Sequence, residues 1–344
     1  MTLPGNRLES CPVDPADRDE LLDICRRTFQ CPREDGSLGR QFHGKTHCCL
    51  KATLTIDPPD DPTLRHGLFA EAGRYPALVR FSNSFFDDDT HPDVRGMAIK
   101  LTGVAGAVCE GAPPGQQDFV LMNEAIGPAR DAKEAMHLFR ALDGIAKVTA
   151  ANIMAPRYLF PNILPWRMRW RYFAFLSMSG LRHLLGRDLA QSTYNSVTPY
   201  RLGDGAAKFL VRPVAAALAR RPMKGRDFTA RLQSAFDAGP IRFEFCLQPR
   251  VLESDPIEDA RRAWKSPVHV VGTLEIPPQD VAATIALGEA LTFSPWNCLA
   301  AHEPLGSINA LRRDAYAASA ANRGAAAVPP ASVWGEAALK AAED

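Results

Sequence analysis

The feature that most constrains the fold is a series of short strand-like segments, each bounded by Pro, Gly or Asp residues. Segments of this kind, rich in apolar residues and separated by turn residues, are typical of antiparallel sheets. They occupy residues 48–56, 77–83, 96–102, 118–122, 206–212, 241–248 and 268–276. Helical periodicity predicts helices at about 14–28, 130–147, 226–238, 279–290 and 303–321. Because these helices lie between and after the strands, the pattern predicts an α+β fold built on a closed sheet or barrel.

Composition narrows the classes of protein and partner. The chain has 344 residues and a formal net charge of +1, so there is no electrostatic case for nucleic-acid binding. Its eight cysteines form no CxxC pair, which predicts free thiols in a reducing compartment rather than a zinc ribbon. The N-terminal residues lack the apolar core of a secretory signal. We therefore expect a cytoplasmic protein.

An apolar segment at 150–187 stands apart from the rest of the chain. Three prolines and several arginines interrupt it, and no uncharged span of ~20 residues remains, so it is not expected to cross a membrane. Two interpretations stay open. The segment packs against the core or a partner, or it forms an interfacial helix, rich in Arg and Trp, that contacts a membrane surface.

The segment LRRDAY, at 311–316, is the first candidate for chemistry. On a helix, Arg312, Tyr316 and Arg323 share one face, because their spacings of four and eleven residues bring them to one stripe. Two guanidinium groups beside one phenol favour the phenolate form. A phenolate suits ferric iron, and Tyr is among the known proximal ligands of haem. On spacing alone, a buried tyrosine with surface arginines explains the same pattern.

Other candidates lie at the ends of predicted strands. Arg40 and His43 come just before the strand at 48–56, in the segment GRQFHGK. The segment LVRFSN places Arg80 and Ser82 two residues apart, and therefore on one face of a strand. Asn123 follows the strand at 118–122.

Taken together and in order, these segments resemble the haem catalase superfamily. The matching motifs are RxxH at Arg40 and His43, VRFS, RGxAxK, DxVxxN ending at Asn123, Arg130-Asp131, TPYRLGDGAAKF at 198–209, FSPWN at 293–297, and RxxxY at Arg312 and Tyr316. The resemblance implies an antiparallel β-barrel of about eight strands, with haem between the barrel and flanking helices. It also implies one haem domain at 39–323 with a helical insertion at about 130–190, preceded by a helical arm at 1–38 and followed by an Ala/Pro-rich tail at 324–344.

The resemblance implies haem b (iron protoporphyrin IX) as cofactor and assigns residues to its proximal side and its carboxylates. Tyr316 matches the proximal ligand of the metal, and Arg312 matches the cation that keeps it ionised. Arg40, Arg80 and Arg323 match the arginines that pair with the two haem propionates. Guanidinium forks suit carboxylates, so buried arginines are the expected partners.

On the distal side, the resemblance assigns catalytic roles to three residues. His43 matches the base, Asn123 the amide that positions peroxide, and Ser82 the hydroxyl that orients the imidazole. Cleavage of a peroxide O–O bond requires a proton to move from one oxygen to the other, which a neutral imidazole can accept and return. A carboxamide donor can stabilise the charge that develops.

The chain also departs from the family pattern. It is shorter than ordinary catalases, and the regions that bind NADPH and link the large tetramer look missing, so we expect no NADPH and a homodimer. Residues 126–129 replace bulky aromatics with Ile-Gly-Pro-Ala, which predicts more space over the haem, and Phe42 precedes His43 without offering a hydroxyl. Organic or lipid hydroperoxides therefore join hydrogen peroxide as candidate substrates.

Three functions remain open at this point. The first is a peroxide-decomposing catalase or peroxidase, the second an isomerase of fatty-acid hydroperoxides, and the third a haem-binding protein without turnover. All three predict bound haem. Oxygen release, formation of an epoxide or ketol, or absence of turnover distinguishes them.

Overall fold

The computed structural model describes residues 13–30, 32, 36–40, 42–143, 161, 164–184, 188–214 and 227–334. Within them the strands are β1 (Lys45–Ile56), β2 (Gly73–Asn83), β3 (Arg95–Thr102), β4 (Gln116–Met122), β5 (Tyr194–Asn195), β6 (Tyr200–Leu202), β7 (Gly205–Pro213), β8 (Ile241–Pro249) and β9 (His269–Ile276). The α-helices are α1 (Pro15–Ile24), α2 (Ala132–Leu142), α3 (Trp166–Leu184), α4 (Phe228–Ala235), α5 (Ile285–Ala290) and α6 (Ser307–Asn322). All of the predicted strands are present, and β5 and β6 are short additions that the sequence did not indicate.

The strands close into an eight-stranded antiparallel barrel. Neighbours follow the order β5-β4-β3-β2-β1-β9-β8-β7, and the short β5 closes the ring by pairing with both β4 and β7. β6 pairs with β7 as a hairpin outside this ring. Closure leaves no unpaired sheet edge along the ring. The predicted α+β fold with a barrel of about eight strands is therefore confirmed.

Alternation along the strands separates the barrel interior from its outer wall. On β2, Val79 and Phe81 belong to the interior core, while Arg80 and Ser82 alternate with them and face outward. Packed aromatic rings fill the interior, where Phe119 lies 4.9 Å from both Phe209 and Phe245 between ring centroids. The barrel is thus a solid core, and polar chemistry is confined to its outer wall.

Helix α6 packs against α1 and α2 and is fixed at both ends. At its start, the Glu258 carboxylate accepts hydrogen bonds from the backbone nitrogen and hydroxyl of Ser307, both at 2.7 Å. At its end, Gly324 takes a left-handed conformation with φ 62°, which glycine adopts without a steric penalty. Because Ser307 begins the helix, the predicted start at 303 was four residues early.

The apolar segment at 150–187 is described only at 161 and 164–184, and its remaining residues lie outside the described part of the chain. Its helix, α3, packs beside α2 and α6 through Met168 and Tyr172. In the part of the chain that the structure describes, no helix is long and apolar enough to cross a membrane.

A buried ion pair joins β3, β4 and the FSPWN segment. The Lys100 ammonium lies 2.7 and 2.8 Å from the two Asp118 oxygens, and both side chains are 0% exposed. Asp118 also accepts from the Ser294 backbone and the Asn297 amide, at 3.0 and 3.2 Å. Burial raises the pKa of Asp118 even though the Lys100 ammonium opposes that shift. The pair therefore anchors the loop after α5 to the barrel wall.

Removing one member of this pair should be costly. We expect Lys100→Met to lower the free energy of unfolding by about 3–5 kcal/mol, because Asp118 is then left buried without a cation. Arg242→Gln is the matched control: it breaks the exposed Arg242–Glu275 pair and should cost at most about 1 kcal/mol. Denaturant unfolding measures both changes, and equal losses in the two variants would contradict the prediction.

Candidate active site

A cavity lies between the outer wall of β2–β4 and helix α6. It encloses about 610 Å³ of space not filled by protein atoms, part of it open to solvent. Six of the sequence-predicted residues line it together: Arg40, His43, Arg80, Ser82, Tyr316 and Arg323. Residues far apart in sequence thus meet at one place.

His43 enters the cavity from the barrel side on an unusual backbone. Its φ is 55°, in the left-handed region, and its backbone nitrogen donates to the Ser84 carbonyl at 3.0 Å. Its Nδ1 lies 3.2 Å from the Ser82 hydroxyl. The ring packs over Gly96, where a Cβ would come within 2.5 Å of Nδ1. Glycine at 96 is therefore required for this ring position, a role that the RGxAxK motif alone did not reveal.

The surroundings of His43 keep its imidazole neutral. Burial, together with the nearby Arg80 and Arg312 guanidiniums, lowers the pKa of His43 to about 3. At neutral pH one ring nitrogen therefore carries a lone pair. When Nδ1 donates to Ser82, that lone pair is on Nε2, so the pairing with Ser82 orients the ring as a base.

Arg80 links His43, through Thr46, to Glu289 on helix α5. Its guanidinium donates to the His43 carbonyl at 2.7 Å and to the Thr46 hydroxyl at 2.6 Å. The Thr46 hydroxyl in turn donates to the Glu289 carboxylate. Burial lowers the pKa of Arg80 to about 10 although Glu289 opposes that shift. Thr46 and Glu289 were missed in the sequence, because nothing in their local spacing links residues so far apart.

Two further arginines complete a positively charged wall. Arg40 donates to the carbonyls of Gly288 and Leu291, and Arg323 donates to the Glu289 carbonyl at 2.8 Å. Burial and the neighbouring Arg80 and Arg323 guanidiniums lower the pKa of Arg40 well below its usual value. The buried Arg40 Nε has no hydrogen-bond partner among the described residues.

This wall fits a dianionic ligand. Three guanidiniums face the cavity, and Glu289 is the carboxylate that acts on both Arg40 and Arg80. Guanidinium groups pair well with carboxylates, and two ligand carboxylates would find donors along this wall. The rest of the lining is mostly apolar, and on α6 small side chains leave space for a flat ring: Ala315, Ser319 and Ala320. Charge and apolar lining together suit a mostly apolar ligand that carries two carboxylates.

Tyr316 faces the cavity from α6 with Arg312 beside it. An Arg312 guanidinium nitrogen donates to the Tyr316 hydroxyl at 3.3 Å, and its central carbon lies 5.3 Å from the centre of the Tyr316 ring. Arg312 also donates to Asn309 at 3.0 Å and to Thr198 at 3.3 Å. Burial disfavours its charge, but the hydroxyls of Tyr316 and Tyr200 hold the pKa of Arg312 above its usual value. Arg312 is thus a fixed cation facing the phenol.

The sequence did not identify Asn309 and Thr198 as supports of Arg312. Asn309 lies three residues before Arg312 on the same helix. Side chains at this spacing are neighbours on a helix, so the sequence could have predicted this contact. Its amide donates to the Pro199 and Leu305 carbonyls at 3.1 and 2.9 Å. Thr198 is far from Arg312 in the sequence, so only the tertiary structure brings the two side chains together.

Asn123 and residues 126–129 differ from expectation in their placement. Asn123 does not line the cavity, and its side-chain oxygen accepts from the Arg95 backbone nitrogen at 2.8 Å. Gly127 pairs with the Ala260 carbonyl at 2.8 Å, and none of residues 126–129 lines the cavity. These residues therefore do not enlarge the cavity, because their loop pairs with Ala260 and not with the cavity wall.

Barrel, flanking helix and intervening cavity together define a catalase-like fold. The chain is similar to a fungal catalase structure (TM-score 0.61, 17% identity), covering 94% of this chain and 65% of that one. It is also similar to a bacterial catalase (TM-score 0.56, 15% identity, 94% and 63% coverage) and to catalase A from Saccharomyces cerevisiae (TM-score 0.58, 16% identity, 94% and 67% coverage). No protein-family model matches the sequence, and no curated protein matches it significantly. The chain therefore has the fold of these catalases and spans about two thirds of their length.

Proposed function

We propose that this protein is a haem-dependent oxidoreductase that decomposes hydroperoxides, of the catalase or peroxidase type. The observation that carries the proposal is the pairing across one cavity. A neutral imidazole enters it from the barrel, and a phenol with a fixed guanidinium partner enters it from α6. A base facing a metal-ligand candidate is the arrangement that peroxide cleavage needs.

Each residue has a defined part in holding the cofactor. Tyr316 would bind the iron through its hydroxyl oxygen, with Arg312 stabilising the phenolate. Arg40, Arg80 and Arg323 would pair with the two propionates. When bound, haem supplies an iron centre that exchanges electrons with a peroxide.

The chain itself supplies the proton transfer. His43 would take the proton from one peroxide oxygen and return it to the other, which leaves as water or an alcohol. Ser82 holds the imidazole in place through Nδ1. The distal role of Asn123 stays a prediction, because its side-chain oxygen accepts from the Arg95 backbone nitrogen and the residue does not line the cavity.

An aromatic path favours organic hydroperoxides as substrates beside hydrogen peroxide. Phe42 lines the cavity and packs against Phe85 and Phe139, with ring centroids at 6.4 and 5.6 Å. Phe85 is 53% exposed, so apolar surface continues from solvent to the cavity. The same path keeps the fatty-acid hydroperoxide isomerase as a second candidate. The homodimer, the cytoplasmic location and the lack of NADPH remain predictions.

Spectroscopy and stopped-flow kinetics test the proposal. Purified protein titrated with haemin should give a stoichiometric high-spin ferric spectrum with phenolate charge-transfer bands. Mixing with hydrogen peroxide or with a fatty-acid hydroperoxide should then consume the peroxide well above the rate of free haemin. Oxygen release identifies a catalase, oxidation of an added donor a peroxidase, and an epoxide or ketol the isomerase. Absence of a Soret band after loading would overturn the proposal.

A further inference from the structure

The solvent face of α3 is apolar, the reverse of an ordinary surface helix. Trp166, Trp170, Phe173, Met178 and Leu181 are all exposed, with Trp166 at 62%. Their spacings of four, seven, twelve and fifteen residues from the first put them on one stripe. We call these five residues the α3 stripe. A contiguous exposed apolar surface of this kind marks an interaction site.

The stripe is preformed rather than loose. The Trp166 and Trp170 rings meet edge to face with centroids 5.8 Å apart, and Trp170 and Phe173 do the same at 6.1 Å. On the opposite face, Met168 is buried and Tyr172 packs into the cluster shared with α2 and α6. The helix is therefore anchored by its inner face, and binding at the outer face loses little side-chain freedom.

The charged residues of α3 itself are all basic. Helix α3 contains arginines at 167, 169, 171 and 182 and no Asp or Glu. Arg167 and Arg171 are exposed, and at ~100° per residue they lie along one margin of the stripe. Arg171 lies 3.3 Å from a Glu134 oxygen, and Arg261 lies 3.2 Å from the same oxygen, so Glu134 keeps a cation when Arg171 exchanges it for another anion. Aromatic residues beside arginines match the boundary between acyl chains and anionic headgroups.

We propose that α3 docks on an anionic phospholipid surface. The α3 stripe enters the boundary of the acyl region, and Arg167 and Arg171 meet lipid phosphates. A second copy of the chain fits less well. A two-fold contact through this face would bring like-charged arginines together, and the helix offers no carboxylate to pair with them.

This docking would also bring the cavity close to a lipid surface. The inner face of α3 shares its apolar cluster with Ala315 and Phe42, both of which line the cavity. A peroxide site beside a membrane would meet oxidised acyl chains. That consequence rests on the proposed function, whereas docking itself does not.

Vesicle binding of the whole protein, with and without haemin, tests the docking alone. We expect co-sedimentation with phosphatidylcholine vesicles that contain phosphatidylglycerol, weaker binding to pure phosphatidylcholine, and a blue shift of tryptophan emission. Trp166→Ser/Trp170→Ser and Arg167→Gln/Arg171→Gln should each weaken binding by about tenfold or more. Val251→Ser/Leu252→Ser is the matched control, since both residues are exposed and apolar elsewhere, and it should leave binding unchanged.

Each other outcome rejects the docking. Equal binding by all variants, or no binding to either vesicle, removes the α3 stripe as a lipid site. A lipid-free dimer that becomes a monomer in Trp166→Ser/Trp170→Ser would assign the face to a second copy instead. Circular dichroism checks that each variant is folded. Since haem-free protein is included, failure of peroxide turnover would not be mistaken for failure of docking.

Discussion

Tyr316→Phe should leave the protein folded but unable to hold haem as the wild type does. The phenol oxygen is the candidate iron ligand, and its loss should weaken haem binding by more than the ~10–100-fold typical of a lost supporting contact. The characteristic phenolate charge-transfer bands should disappear. Haemin titration followed by absorption measures both. Tyr75→Phe is the control, because Tyr75 packs on the barrel core and does not line the cavity.

Arg312→Met tests the contribution of the guanidinium separately from that of the Tyr316 ligand. Arg312 donates to the Tyr316 hydroxyl but does not line the cavity, so this variant keeps the phenol and removes the cation beside it. We expect retained but weaker haem binding and a shift of the charge-transfer bands. If Tyr316→Phe instead kept the haem content and the spectrum of the wild type, the assignment of Tyr316 as ligand would be wrong.

His43→Gln should slow the reaction with peroxide by ~10²–10⁴-fold while haem binding persists, since the proton carrier is lost and a hydrogen-bonding side chain remains. Stopped-flow mixing measures the rate. The control is His302→Gln. His302 is fully buried, with its pKa lowered to about 4 by burial, but it accepts from the Leu68 backbone and does not line the cavity. That variant should lose stability and keep the rate.

The pH profile gives a second readout of the same residue. A base must be neutral to accept a proton, and the pKa of His43 is about 3, so it stays neutral above that pH. We therefore expect a rate that is flat from about pH 5 to 8 and falls only as the pH approaches the lowered pKa. An acid limb near ~6.5, the value of an unperturbed histidine, would show that the base is not held in this buried environment.

Local periodicity in the sequence predicted much of the site. Alternation along a strand put Arg80 and Ser82 on one face, and the structure places both on the cavity wall. The four-residue spacing of Arg312 and Tyr316 predicted their contact on one helix. These relations depend only on the geometry of a single strand or helix, so the sequence is sufficient to give them.

Contacts between distant segments could not be derived in this way. Glu289 accepts from Thr46, Gly96 lies under His43, and Thr198 holds Arg312. No periodicity relates such residues, and only closure of the barrel brings them together. The loop at 126–129 is a case in which the sequence predicted a contribution to the cavity that the structure does not have. Its residue types predicted more space at the cavity, but the loop pairs with Ala260 and does not line the cavity.

The sequence by itself thus determined the seven longer strands, the helices other than α3, and the residues that share one face of each. Tertiary structure decided the rest: which faces meet, how three guanidiniums come to share a wall with one carboxylate, and why His43 is neutral. The physical reason is desolvation. Burial sets the pKa of His43 and Arg40, and burial depends on how the barrel wall and α6 pack together rather than on any local pattern.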